Sequence, residues 1–150
     1  MDALEASSEC PLPPLVYESK GIAFADGLEI GRKLLSRKQR PTAIQCITDD
    51  LAAGLVAAAH ERNPPMPESL SISGFDNFGI ATRIYPALST ATLPLLDMAA
   101  AVTRQVLDTL EGRETAPWLH FPCEVVLRQS VARRQEEPGQ QELRATDQMT

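Results

Sequence analysis

Thr48, Asp49, Asp50 and Asp76 are the polar residues whose types and spacing could do chemistry, because they stand just past the ends of two strand-like stretches. Carboxylates placed this way can accept hydrogen bonds from a small molecule, hold a magnesium ion, or work as an acid–base pair. The last two uses need a supporting cast. The chain has no glycine-rich phosphate loop and no nucleophile elbow, and neither His60 nor His120 stands near a second ligand in sequence. The sequence thus gives little support to a metal-dependent hydrolase. No catalytic residue, metal or cofactor is expected, and the chain is not expected to be an enzyme.

These residues must be positioned by a strand–helix–strand unit, Pro41 to Asn77. Ala43-Ile44-Gln45-Cys46-Ile47 is short, apolar and partly β-branched, as in a buried strand. Thr48-Asp49-Asp50 supplies helix-capping oxygens, with Asp49 expected as the N-cap. Leu51, Leu55, Val56 and Ala59 recur at helical spacing, and Asn63-Pro64-Pro65 ends the helix. Leu70-Ser71-Ile72-Ser73-Gly74 is the second strand. A crossover of this length makes the two strands parallel, so Thr48, Asp49 and Asp76 emerge at one carboxyl edge. That is the edge at which open α/β sheets bind ligands.

On either side, Leu15-Val16-Tyr17 reads as a short strand and residues from about Ala23 as an amphipathic helix through Phe24, Leu28, Gly31 and Leu35. Arg32, Lys33, Arg37 and Lys38 collect at that helix's end, where a solvated cationic cluster complements the macrodipole. Leu88 to Thr92 is strand-like. Pro94 opens the longest helix, to Glu111, with Leu95, Ala99, Val102, Val106 and Leu110 on one face and Gly112 as the stop. Phe121 to Leu127 is the last strand. Met1 to Ser8 reads as the tail of a helix, and residues 133–150 as a disordered polar tail.

Composition narrows the function. The chain has 150 residues, enough for one domain with a real core, and a net charge of -6 with a pI near 4.9. An acidic surface of this kind does not bind nucleic acid by itself, so any DNA contact needs another module. Cys10, Cys46 and Cys123 are odd in number, widely spaced and without a C-x-x-C pair, which indicates neither a disulfide framework nor a zinc site. Cys46 and Cys123 sit in apolar runs and are expected as buried thiols. There is no signal peptide and no membrane-length apolar run; the cytoplasm is the expected location.

In order, Pro41-Thr42-Ala43-Ile44, Asp49 with Ala52 and Gly54, Pro67-Glu68, Ser71-Ile72-Ser73-Gly74-Phe75-Asp76-Asn77, Pro86-Ala87-Leu88-Ser89-Thr90 and Leu127-Arg128-Gln129-Ser130-Val131-Ala132 form a specific set. On these residues the chain resembles the later part of the effector-binding module of the LacI/GalR family of bacterial transcriptional repressors. The resemblance implies an α/β fold, a Rossmann-like parallel sheet flanked by helices, that is part of a type I periplasmic-binding-protein-like body. Residues 1–132 would then be a partial effector-binding and dimerisation domain, mostly second lobe, with the helix over 94–111 serving the first lobe. That helix would expose its apolar stripe in a monomer. The helix-turn-helix, the hinge, most of the first lobe and an effector-gripping arginine would lie before Met1, which is expected to mark a truncated frame or a fragment.

The resemblance also assigns residues. Asp76 would accept hydrogen bonds from the effector, often sugar hydroxyls. Thr48 stands where many relatives carry Asn, and Ile22 where an aromatic ring commonly stacks on the effector. Ala53, Val56 and Ile84 would face a partner in a homodimer. The implied function is sensing of a sugar-like effector and dimerisation within a DNA-binding regulator. The alternative is a stand-alone or periplasmic-type sugar-binding protein.

Overall fold

A computed structural model of the chain describes residues 15–133. The helix tail expected over residues 1–8, Cys10 and nearly all of the tail expected over 133–150 lie outside the described residues. Helix α1 is Phe24–Leu35, β1 Ala43–Gln45, α2 Asp49–Arg62, β2 Ser71–Ser73, β3 Thr90–Thr92, α3 Leu95–Leu110 and β4 Glu124–Val126, with a 3-10 turn at Gly79–Thr82. β1 and β2 are parallel, with Ile44 opposite Ile72. Bridges Ser73 to Ser89 and Asp76 to Thr92 carry the parallel pairing across to β3, and β4 closes the far side antiparallel to β3. Leu15-Val16-Tyr17, expected as a strand, pairs with no strand among the described residues. Leu15 and Val16 are exposed, while the Tyr17 ring packs under the Arg37 guanidinium, whose centre lies 4.9 Å from the ring centroid.

The core lies between α2 and the sheet, with Leu55, Ile72 and Leu88 among its fully buried side chains. α1 lies against α2 with unusually close backbones. A Cβ on Gly27 would sit 2.0 Å from the Leu51 carbonyl oxygen, and one on Gly54 2.0 Å from that of Phe24. Glycine at both positions is what lets the two helices meet at this distance. The small residues of α2 thus admit another helix of the same chain.

Two polar devices hold the sheet where its ladder is short. The buried Ser130 hydroxyl donates to the Ile72 carbonyl at 2.6 Å and accepts the Ser89 N–H at 2.8 Å, stitching β2 to the approach of β3. The Arg128 guanidinium donates to the Leu88 carbonyl at 2.7 Å and to Asn77 Oδ1 at 2.6 Å. Cys46 is buried, and its desolvated thiol is pushed up to about 12, leaving it protonated and inert. Cys123, expected to be buried as well, is exposed. It lies directly before β4.

α3 departs from the rest: none of its residues is buried. Its half-buried positions are Met98, Ala101, Gln105 and Asp108, so the side turned toward the chain carries polar groups. Gln105 donates to the Ala116 carbonyl, and Arg113 donates to Asp108 at 2.8 Å. Leu96, Val102, Val106, Leu107 and Leu110 face solvent, as does Trp118 in the segment that follows.

Candidate ligand site at the carboxyl edge of the sheet

Thr48 has extended backbone and caps α2: its Oγ1 accepts the Leu51 N–H at 3.2 Å. The same hydroxyl donates to the Ile22 carbonyl at 2.9 Å, which fixes the loop before α1 against the start of α2. Both functions of the hydroxyl are thereby engaged inside the chain, and one lone pair is left for a ligand. Ile22, 58% exposed, stands beside it and offers apolar contact.

Asp49 was expected to be the N-cap and is not. It is the first helical residue, fully buried, with Thr48 in the capping place. One carboxylate oxygen accepts the Phe78 N–H at 2.8 Å and the other the Thr90 hydroxyl at 2.6 Å. A buried carboxylate is tolerated when both oxygens are hydrogen bonded and a helix N-terminus faces it. Gly74 leaves the room, since a Cβ there would lie 2.3 Å from Asp49 Oδ1. Asp49 thus ties the head of α2 to the turn after β2.

That turn presents Asp76. Asp76 and Asn77 both have positive φ, 109° and 57°, and the Asp76 N–H donates to the Ala91 carbonyl at 2.9 Å. Asn77 is held at both ends of its amide, donating to Thr92 Oγ1 at 2.9 Å and accepting from Arg128. The Asp76 carboxylate, by contrast, accepts no hydrogen bond among the described residues. Its pKa is raised above the usual carboxylate range, first by partial burial and then by the like charges of Asp49 and Asp50. A charged acceptor aimed at the sheet edge, over rigidly held neighbours, is suited to donors on a ligand. Among the described residues no cluster of three His, Cys, Asp or Glu could hold a metal ion.

The structure therefore brings Ile22, Thr48 and Asp76 to the same edge as the capped head of α2. It does not do the same for the expected dimer face. Ala53 and Val56 are 1% and 2% exposed. His60, one turn beyond Val56, bonds to the Tyr85 carbonyl at 2.7 Å, so the 79–85 segment folds over this side of the helix. Both side chains are spent within the chain and neither offers a surface to a second copy. Ile84 is half-buried and packs on the same core. Sequence reasoning missed Arg128 and the clamp made by Asp49. The signal for the latter was present in Gly74 and Thr90, but pairing them with Asp49 requires the tertiary fold.

An open, mostly parallel α/β sheet flanked by helices is the architecture of a periplasmic-binding-protein-like lobe. Residues 2–131 match the family model described as periplasmic binding protein-like domain. The HTH-type transcriptional regulator AscG of Escherichia coli (strain K12) is 33% identical over 107 residues, 71% of this chain and 32% of that protein. A LacI family regulator from Enterococcus faecium, solved with bound ribose, is 28% identical with a TM-score of 0.62, covering 73% of this chain and 40% of that one. A LacI family regulatory protein from Chloroflexus aggregans is 28% identical with a TM-score of 0.73, covering 87% and 48%. The chain belongs to the LacI family of transcriptional regulators, within their periplasmic-binding-protein-like domain. It spans about a third of the length of curated relatives such as AscG. The named relatives are transcriptional regulators, not enzymes. No helix among the described residues is long and apolar enough to cross a membrane.

Proposed function

We propose that this chain is the effector-sensing and dimerising part of a cytoplasmic LacI-type regulator, and that it recognises a sugar-like small molecule. Asp76 accepts hydrogen bonds from the effector's hydroxyls, Thr48 contributes its remaining lone pair, and Ile22 covers the apolar face of the ring. DNA contact falls to a separate helix-turn-helix module, consistent with the net charge of -6. Effector binding acts by differential affinity for two arrangements of the lobes, which biases the DNA-binding state. In that scheme residues to about Ser89 serve the second lobe and α3 serves the first.

The observation that carries this reading is the Asp76 carboxylate, without a hydrogen-bond partner among the described residues, on a turn whose neighbours are all tied down. A merely structural turn aspartate caps local backbone, and this one does not. The ribose bound to the Enterococcus faecium relative supports the choice of ligand class. The test is calorimetric titration of the chain with ribose and a panel of pentoses and hexoses. One of them is expected to bind, with affinity lost at least tenfold in Asp76→Asn. Binding of a sugar that is indifferent to Asp76→Asn, or no binding across the panel, overturns the assignment.

A further inference from the structure

We infer that the cleft at the amino edge of the sheet, between the last turns of α1 and α2, binds a phosphate-type oxyanion through Arg40 and Arg62. The site lies at the opposite edge from Asp76 and does not depend on the effector reading. Arg32, Lys33, Arg37, Lys38 and Arg40 fall within nine residues that hold no acid, in a chain of net charge -6. Cations at a helix end ordinarily donate to its last carbonyls. Among the described residues none of these does. Arg32 grips the Glu61 carboxylate through Nε and Nη2, Lys33 pairs with Glu29 at 2.7 Å, and Arg37 donates to the Tyr17 hydroxyl at 2.8 Å. Arg40 and Arg62 have no hydrogen-bond or ion-pair partner among the described residues, and both line one open cleft with Arg32, Leu35 and Glu61.

The chemistry of the cleft selects the ligand. Glu61 is its one carboxylate, and the fork of Arg32, helped by the charge of Arg62, holds its pKa below the usual range. Three guanidinium groups against that single carboxylate leave the cleft cationic at any pH the fold tolerates. Arg40 enters from the loop before β1 and Arg62 from the end of α2, so two forks converge from different elements. One fork fills the edge of a carboxylate, whereas a tetrahedral dianion has oxygens enough for both. The walls are held in place: the Arg32–Glu61 pair ties the two helix ends together, and Gly31 lets α1 approach Ala58 of α2. The cleft measures about 560 Å³, which leaves room beside a phosphoryl group for the rest of a small phosphorylated metabolite, over the buried Leu35.

Nuclear magnetic resonance titration of the isotope-labelled 150-residue chain tests this, with sodium phosphate and with glucose 6-phosphate, each against sodium chloride at matched ionic strength. The expected result is saturable amide shifts over residues 36–42 and 60–63, with a dissociation constant of about 1 mM or tighter. Arg40→Gln and Arg62→Gln are each expected to weaken it about tenfold, and Asp76→Asn to leave it unchanged. Both arginines are exposed and bond to nothing among the described residues, so their replacement leaves the fold intact, which melting curves verify. Tighter binding of glucose 6-phosphate supports a phosphorylated metabolite as the ligand; equal binding supports inorganic phosphate in the same site. Shifts that chloride reproduces, shifts centred on the Asp76 edge, or affinity kept in both arginine variants overturn the inference, as does the absence of saturable shifts. None of these outcomes bears on sugar binding, which the ribose titration decides separately.

Discussion

Helices α2 and α3 are similar in length, 14 and 16 residues, yet the chain surrounds one and turns the other outward. Nine residues of α2 are buried: α1 meets it through Gly27 and Gly54, the sheet lies beneath, and the 79–85 segment lies along a third side. α2 has small and apolar residues nearly all round, the composition of an enclosed helix. α3 has the cleaner division into apolar and charged sides and buries nothing. Amphipathic pattern reports which side seeks cover; it does not report that the cover is in the same chain.

The contrast can be broken most forcefully within α2. Leu55→Ala, at a site 1% exposed, is expected to cost about 3 kcal/mol in urea unfolding, whereas Val106→Ala, in solution dilute enough for monomers, is expected to stay within about 0.5 kcal/mol. Equal costs would mean that α3 is packed after all. Gly54→Ala sharpens the point. Its Cβ would meet the Phe24 carbonyl and the Leu28 N–H, both backbone, so α1 and α2 must separate at a cost of about 2–3 kcal/mol despite alanine's better helix propensity. A gain in stability there would show that the two helices slide apart freely.

Next in size is Asp49→Ala, which strands the Phe78 N–H and the Thr90 hydroxyl at the head of α2 and is expected to cost about 2 kcal/mol. The same change is expected to weaken sugar binding, since the Asp76 turn loses its anchor. Asp76→Asn has the smallest effect on stability, and its sign is opposite. The folded pKa of Asp76 is raised, so its ionisation works against the fold. Its favourable contribution is complete below the unfolded pKa and is lost as pH rises through the folded one. Asn removes that penalty and accepts positive φ well, so the variant is expected to melt on the order of one degree higher at neutral pH, with the gap closing in acid. On the proposed reading, ligand affinity is expected to run the other way, falling on acidification as the Asp76 carboxylate takes up a proton, from a pH above the ordinary aspartate range.

Much of this was legible in the sequence where one residue type has one local use. Thr48 before an apolar helix, Asn63-Pro64-Pro65 after it and Pro94 before α3 mark boundaries that the structure keeps within a residue or so, Asn63 taking the left-handed cap at φ 55°. The parallel pairing of β1 with β2 followed from the length of the crossover. What was not legible depends on partners far apart in the chain. Asp49 and Thr48 are equally good caps by type, and only Phe78 and Thr90, 29 and 41 residues on, decide which one turns inward. Ala53 and Val56 read as an interface because small residues permit close approach, but nothing local says that the approaching chain is the 79–85 segment. Leu15-Val16-Tyr17 has strand propensity and finds no neighbour to pair with among the described residues.

The bond from Phe78 to Asp49 has a consequence on a different timescale. Phe78 lies in a loop, with its side chain largely in water, yet its amide hydrogen is directed at a fully buried carboxylate. Replacing that hydrogen with solvent deuterium requires the turn to lift from the head of α2 and leave Asp49 charged, buried and short of a donor. The Phe78 amide is therefore expected to exchange as slowly as those of the central helix. That one hydrogen would report how firmly the turn after β2 is fastened to the head of α2.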